Sequence, residues 1–235
     1  WRRARAAIAR LPLWCWLTLL AACAPGAPAG GGGANGAVAS AIGSGVFLDA
    51  PVQGLGYTSG SVSGLTGPDG KFSYTSGATV SFFIGGIGIG EAPGAALITP
   101  LDLTATSDVT AAGAINRTRF LLTLDDDGNP DNGIQITANE RALAAPQRLN
   151  FNEAVGSFGN DGRVQSIVAQ LTAATTAGAR GLISPDVAQA HLGQTMGHYY
   201  AGRYSGTYTG LTDSGTLTLD GGVDGTIGGT AHPDQ

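Results

Sequence analysis

Apolar and polar residues alternate along residues 45–92 in short runs broken by turn chemistry. Gly45-Val46-Phe47-Leu48 stops at Asp49-Ala50-Pro51, and Val52 to Tyr57 follows. Gly67-Pro68-Asp69-Gly70 supplies a turn, with Pro presetting φ and Gly accepting positive φ. Lys71-Phe72-Ser73-Tyr74 and Thr79-Val80-Ser81-Phe82-Phe83-Ile84 come next. The two-residue period puts Phe72 with Tyr74 on one strand face, and Val80, Phe82 and Ile84 on another. Strands at intervals of about ten residues predict a small antiparallel β-sandwich. Gly85-Gly86-Ile87-Gly88-Ile89-Gly90 lacks dinucleotide-loop spacing and reads as a tight strand-to-strand turn.

The period then lengthens. Phe120, Leu121 and Leu124 have helical spacing within 108–124, leaving Arg117 and Arg119 free to point outward. Ala138 to Ala145, halted before Pro146, and Gly162 to Thr175 read as further helices. Ser184-Pro185-Asp186 predicts a helix start, with Ser as N-cap, Pro in the first turn and an acid near the positive helix end; this helix runs to about Tyr199. From Tyr204 alternation returns, with Thr216-Leu217-Thr218-Leu219 as a strand and Asp220-Gly221-Gly222 as a turn. The expected fold class is α+β: a small antiparallel β-sandwich over 45–104, a helical segment over 105–200, and the start of a second β-rich domain over 201–235. A two- or three-stranded unit is marginal alone, so the last segment reads as part of a longer domain.

The first residues follow another logic. Arg2, Arg3, Arg5 and Arg10 precede an apolar run from Leu11 to Leu20, then Leu20-Ala21-Ala22-Cys23. Basic, apolar and small residues in that order make a secretory signal. At about 1.5 Å per residue the run is too short for roughly 30 Å of hydrocarbon. Residues 1–22 are read as the signal. Trp1 in place of Met suggests a start further upstream. Residues 23–44, rich in Gly, Ala and Pro, read as a flexible tether that cannot bury enough surface to offset its ordering entropy.

Charge sharpens this reading. The signal carries four of the 12 Lys and Arg and none of the 17 Asp and Glu, so the remainder has a formal charge of −9. Such a surface argues against nucleic acid and suits cations. Beyond Cys15, inside the signal, Cys23 is the only cysteine, so no internal disulfide is available.

Leu20-Ala21-Ala22-Cys23 resembles the lipobox of bacterial lipoproteins. That resemblance implies diacylglycerol on the sulfur of Cys23, further acyl chains after cleavage, and attachment to a membrane. Ala24 in place of Asp resembles outer-membrane sorting. G-x-F-x-D-x-P-V-x-G-L-x-Y and G-L-T-G-P-D-G-K-F-S-Y resemble transthyretin-like or carboxypeptidase-regulatory-like modules. With V-x-F-F-I-G, I-T-P-L-D-L (98–103), N-R-T-R-F-L-L-T-L-D-D-D-G-N-P-D-N-G-I (116–134) and D-V-A-Q-A-H-L (186–192), residues 45–196 resemble the N-terminal module of bacterial surface lipoproteins, accessory colonisation lipoproteins among them. The resemblance implies cell-envelope placement and a supporting or binding role.

One cluster suggests a ligand. Asp125, Asp127, Asn129 and Asp131 place oxygen atoms at alternate positions of a Gly-containing loop, 125–133. Calcium takes such oxygen cages, and like charges crowded together favour a cation. The pattern departs from an EF-hand, with Pro130 at position six and Ile136 at position twelve. An acidic, solvated turn capped by its own Asp and Asn, or by Arg117 or Arg119, is the competing reading. His191 and His198 share a helix face but lack a third zinc ligand. No G-x-S-x-G or H-E-x-x-H signature occurs. The expected function is therefore a lipid-anchored envelope protein, non-catalytic, binding a protein or glycan ligand or acting as scaffold, with calcium as the candidate ion. The rival expectation is the N-terminal stalk of a larger surface hydrolase.

Overall fold

The structure is a computed structural model, and it describes residues 41–210, 214–224 and 226–234. The signal, Cys23 and most of the tether lie outside the described residues. The architecture is mixed α+β, with mainly antiparallel strands in four sheets and five α-helices among the described residues.

Strand β1 (Ile42–Phe47) is central in the first sheet, antiparallel to β5 (Lys71–Thr75) and parallel to β8 (Leu97–Ile98). The second sheet has the order β4 (Val62–Leu65), β3 (Gly56–Ser59), β6 (Thr79–Ile84), β7 (Ile87–Pro93). The alternation expected in β6 is present: Val80, Phe82 and Ile84 are buried and their neighbours are not. Phe82 meets Phe47 at 4.8 Å and Phe72 at 5.1 Å, so residues from both sheets share one aromatic cluster. The glycine run does make the β6–β7 turn. Gly85 sits at φ +56°, and a Cβ there would come within 2.3 Å of the Arg141 carbonyl, so glycine is required by space as well as by φ.

Short β2 (Val52–Gln53) pairs in parallel with β9 (Ile134–Gln135), tying the acidic loop to the strand region. The helices are α1 (Ala112–Thr123), α2 (Ala138–Ala144), α3 (Val155–Asn160), α4 (Gly162–Thr172) and α5 (Pro185–Tyr200). Ser184 caps α5 as expected, its Oγ accepting from the Val187 amide at 3.4 Å. Helix α3 was not expected; it buries Phe158 against Phe151. One hydrophobic cluster runs from Phe47 and Val52 through Phe120 and Phe158 to Leu171 and Ala188, so strands and helices share a core. Burial of this kind is the main drive to fold.

At the C-terminal end, β10 (Gly202–Thr209), β11 (Ser214–Gly221) and β12 (Ile227–Pro233) form an antiparallel sheet. The turn lies later than expected: β11 continues through Asp220 and Gly221. Asp220 stands opposite Arg203 and accepts from its Nε at 2.7 Å, which holds the acid in the ladder. The reversal closes further on, where the Gly222 amide donates to the Thr226 carbonyl. Among the described residues no helix is long and apolar enough to cross a membrane.

Candidate functional site

The acidic loop leaves α1 at Leu124 and folds around its own carboxylates. Asp125 is buried, and its Oδ1 accepts from the Gln135 amide at 2.9 Å. Asp126 accepts from the Thr176 amide at 2.9 Å and from the Thr176 hydroxyl. Asp127 accepts from the Asn129 amide at 2.9 Å and from Asn132 Nδ2 at 2.8 Å. The Asn129 bond is a local Asp turn, the Asn132 and Gln135 bonds close the loop on itself, and the Thr176 bonds tie it to the segment after α4. Asp125 Oδ2 is left buried without a partner. Burial, with Asp127 close by, pushes the Asp125 carboxyl above its usual range, whereas the bonds from Asn132 and Asn129 hold Asp127 below it.

Asp125, Asp126, Asp127 and Asn132 line a hollow of about 300 Å³ beside Pro51 and Gln53. Asp131 does not join them; it borders a second cavity under α5. Asn129 is exposed, and its side chain does not line the hollow. The structure thus brings Asp125 and Asp127 together out of the four expected ligands. No cluster of three or more His, Cys, Asp or Glu suited to a metal ion occurs among the described residues.

Arg180 closes the loop. Its Nε donates to the Thr123 carbonyl at 2.8 Å, one terminal nitrogen donates to Thr175 Oγ1 at 2.9 Å and the Gly178 carbonyl at 3.1 Å, and the other donates to the Asp125 carbonyl. The fixed fork of a guanidinium suits several carbonyls at once. Arg117 and Arg119 do not cap the loop and do not point outward. Both are buried. Arg117 donates to the carbonyls of Ile89 and, at 2.8 Å, Gly113; Arg119 donates to those of Ile183 at 2.7 Å and Val155 at 3.3 Å. These side chains satisfy carbonyls of the edge strand β7, of the first turns of α1 and α3, and of the loop before α5.

Two buried acids went unread in the sequence. Glu140 is the N3 residue of a capping box with Thr137, accepting from the Thr137 amide at 2.7 Å and its hydroxyl at 2.9 Å. Its Oε1 has no partner, and burial pushes the carboxyl up to about 7. The spacing T-x-x-E was the available signal.

Asp49 is the second. It sits in the turn between Leu48 and Pro51, fully buried, with neither carboxylate oxygen hydrogen-bonded. Ala50 beside it adopts φ +58°, a left-handed conformation that costs an L-residue free energy. His191 Nε2, on α5, approaches Asp49 Oδ1 at 3.7 Å and is itself without a hydrogen bond. Thr118 Oγ1 is likewise unbonded. Burial raises the Asp49 carboxyl to about 6, and the His191 imidazole pulls it part of the way back. A single acid flanked by Phe47-Leu48 and Val52 was the signal here.

His191 and His198 both border the cavity of about 390 Å³ under α5, with Asp131, Thr195 and Tyr199. Seven residues span about 10.5 Å of helix, so the two imidazoles do not reach one ion. No family model, curated protein or solved structure matches this chain.

Proposed function

We propose that this is a lipid-anchored protein of the bacterial cell envelope whose folded part is a non-catalytic binding or scaffolding module. The carrying observation is Leu20-Ala21-Ala22-Cys23 behind a basic and apolar leader, followed by a Gly/Ala/Pro tether. Acyl chains on Cys23 bury many methylenes, and several together give lasting attachment where one gives marginal binding. Ala24 favours the outer membrane or cell surface. The likeness of residues 45–196 to surface-lipoprotein modules supports the same placement and a protein or glycan ligand. The contacts of Phe82 with Phe47 and Phe72 support reading the first two sheets as a small sandwich. Calcium enters this reading at Asp125 and Asp127, where Asp125 Oδ2 lacks a donor.

Expression with labelled fatty acid tests the anchor. The protein carries the label and Cys23→Ala loses it; an unlabelled product, or label unchanged by the substitution, refutes the proposal. The exposed Tyr204, Leu219 and Ile227 on the C-terminal sheet favour a second reading, a stalk for a larger surface hydrolase. A longer reading frame with a metal or triad signature decides for it.

A further inference from the structure

Helix α5 is weakly held by apolar contacts. Of its sixteen residues only Ala188 and Leu192 are buried. Leu192 packs with Leu101 and Ala114, and Met196 lies partly buried against them. Gly193 and Gly197 lower the helix propensity of the same stretch. Helices with few buried contacts open locally before the core does.

Against this helix stands the most poorly satisfied polar group in the core. Asp49 is fully buried, neither oxygen accepts a hydrogen bond, and the nearest ionisable group is His191 Nε2 at 3.7 Å. Such a carboxylate is costly to keep ionised in place. It lies in a turn that also carries the strained Ala50. The remaining polar and charged groups leave it unsatisfied. Thr118 of α1 contributes a hydroxyl without a hydrogen bond, and Arg117 and Arg119 of α1 donate to backbone carbonyls. Asp131 of the Pro130–Asn132 turn borders the cavity beside His191, as do His198 and Tyr199 of α5 itself.

We propose that Asp49 and His191 form a proton-operated latch: α5 closes over the Leu48–Pro51 turn when Asp49 holds a proton, and loosens when Asp49 is ionised. Lifting α5 admits water to Asp49, whose carboxyl then returns toward its ordinary value near 3.8, against about 6 when closed. The closed form therefore binds the proton more tightly. Closure is tightest below pH 4 and weakens as pH rises to about 6, with an increase of about 10²-fold in the open population across that window. One residue, Ala201, separates α5 from β10, so the latch also sets how firmly the C-terminal sheet is tethered to the core.

Hydrogen exchange of the full chain, corrected for intrinsic rates, tests this between pH 4.5 and 7.5. Over this range protection of amides in 188–200 falls by about 25-fold on raising the pH, the part of the full change that lies above pH 4.5, whereas β6 keeps its protection relative to global stability. Asp49→Asn, neutral at every pH, abolishes the fall. His191→Gln removes a group that favours the ionised carboxylate, so the fall moves to higher pH. Met196 is the only methionine, and its ¹³C-methyl resonance gives a second readout on the same helix. Constant protection and a constant Met196 signal across this range overturn the latch. So does the same transition in Asp49→Asn, or an unmoved transition in His191→Gln, which decides the matter should Asp49→Asn not fold.

Discussion

Replacing Glu140 with Gln stabilises this protein at neutral pH and removes a large part of its pH dependence. In the native state Glu140 is fully buried, one oxygen is engaged by Thr137 and the other is unpartnered. Burial is the largest influence on its carboxyl; the Thr137 hydrogen bonds and Arg180 act against it, while Asp126 adds to it. A folded value above the unfolded one means that the native state binds the proton more tightly. The stabilisation is complete below pH 4.5 and is lost as pH rises to about 7. The gap between 4.5 and about 7, at about 1.4 kcal/mol per pH unit, amounts to about 3 kcal/mol. For a chain of this size that corresponds to about 6–12 °C in Tm. Gln keeps an acceptor for Thr137 and carries no charge. Urea unfolding of both proteins at pH 4.5 and pH 8 gives the answer. The advantage of Glu140→Gln over the parent is larger at pH 8 by about 3 kcal/mol. Parallel profiles, or a parent protein that loses stability relative to Glu140→Gln on acidification from pH 8 to pH 5, would refute the reasoning.

Arg180→Met leaves the carbonyls of Thr123, Asp125 and Gly178 without their shared donor; urea denaturation registers a loss of about 3–4 kcal/mol, and Arg180→Lys recovers less than half because an ammonium does not span the fork. If Asp125 and Asp127 take calcium, the melting temperature rises with added ion and falls back with chelator, by an amount equivalent to about 2.7 kcal/mol at a hundredfold excess over Kd. A melting curve indifferent to both removes calcium from the picture.

The strands were legible because burial on one face imposes a period of two, and Val80, Phe82 and Ile84 keep it without a break. The start of α5 was legible because Ser184-Pro185-Asp186 carries its own capping chemistry. What escaped was decided by distant backbone. Arg117 and Arg119 have the spacing of solvent-facing residues, yet their partners are carbonyls at Ile89 and Ile183, far away in the chain. Helix α3 holds Gly156 and Gly159 and has no side-chain cap, so Phe158 alone carried its signal, through packing that the local sequence does not contain. In the acidic loop the alternation of oxygens was visible, but Pro130 and the turn through Asn132 send Asp131 to another cavity. The Asp49–His191 pair joins residues 142 positions apart in sequence and had no local pattern beyond an isolated acid.

The arginines that clasp carbonyls have an effect on the exterior. Arg117, Arg119, Arg141 and Arg180 are drawn inward, most of their hydrogen bonds going to main-chain oxygens. Beyond residue 22 the exposed cations among the described residues are Lys71, Arg148, Arg163 and Arg203, set against an outer shell populated by aspartates. Neighbouring copies at low ionic strength therefore meet with matching sign and keep a spacing of the order of a Debye length, about 10 Å at 0.1 M salt. Crowding on a common support spreads such molecules apart instead of clumping them.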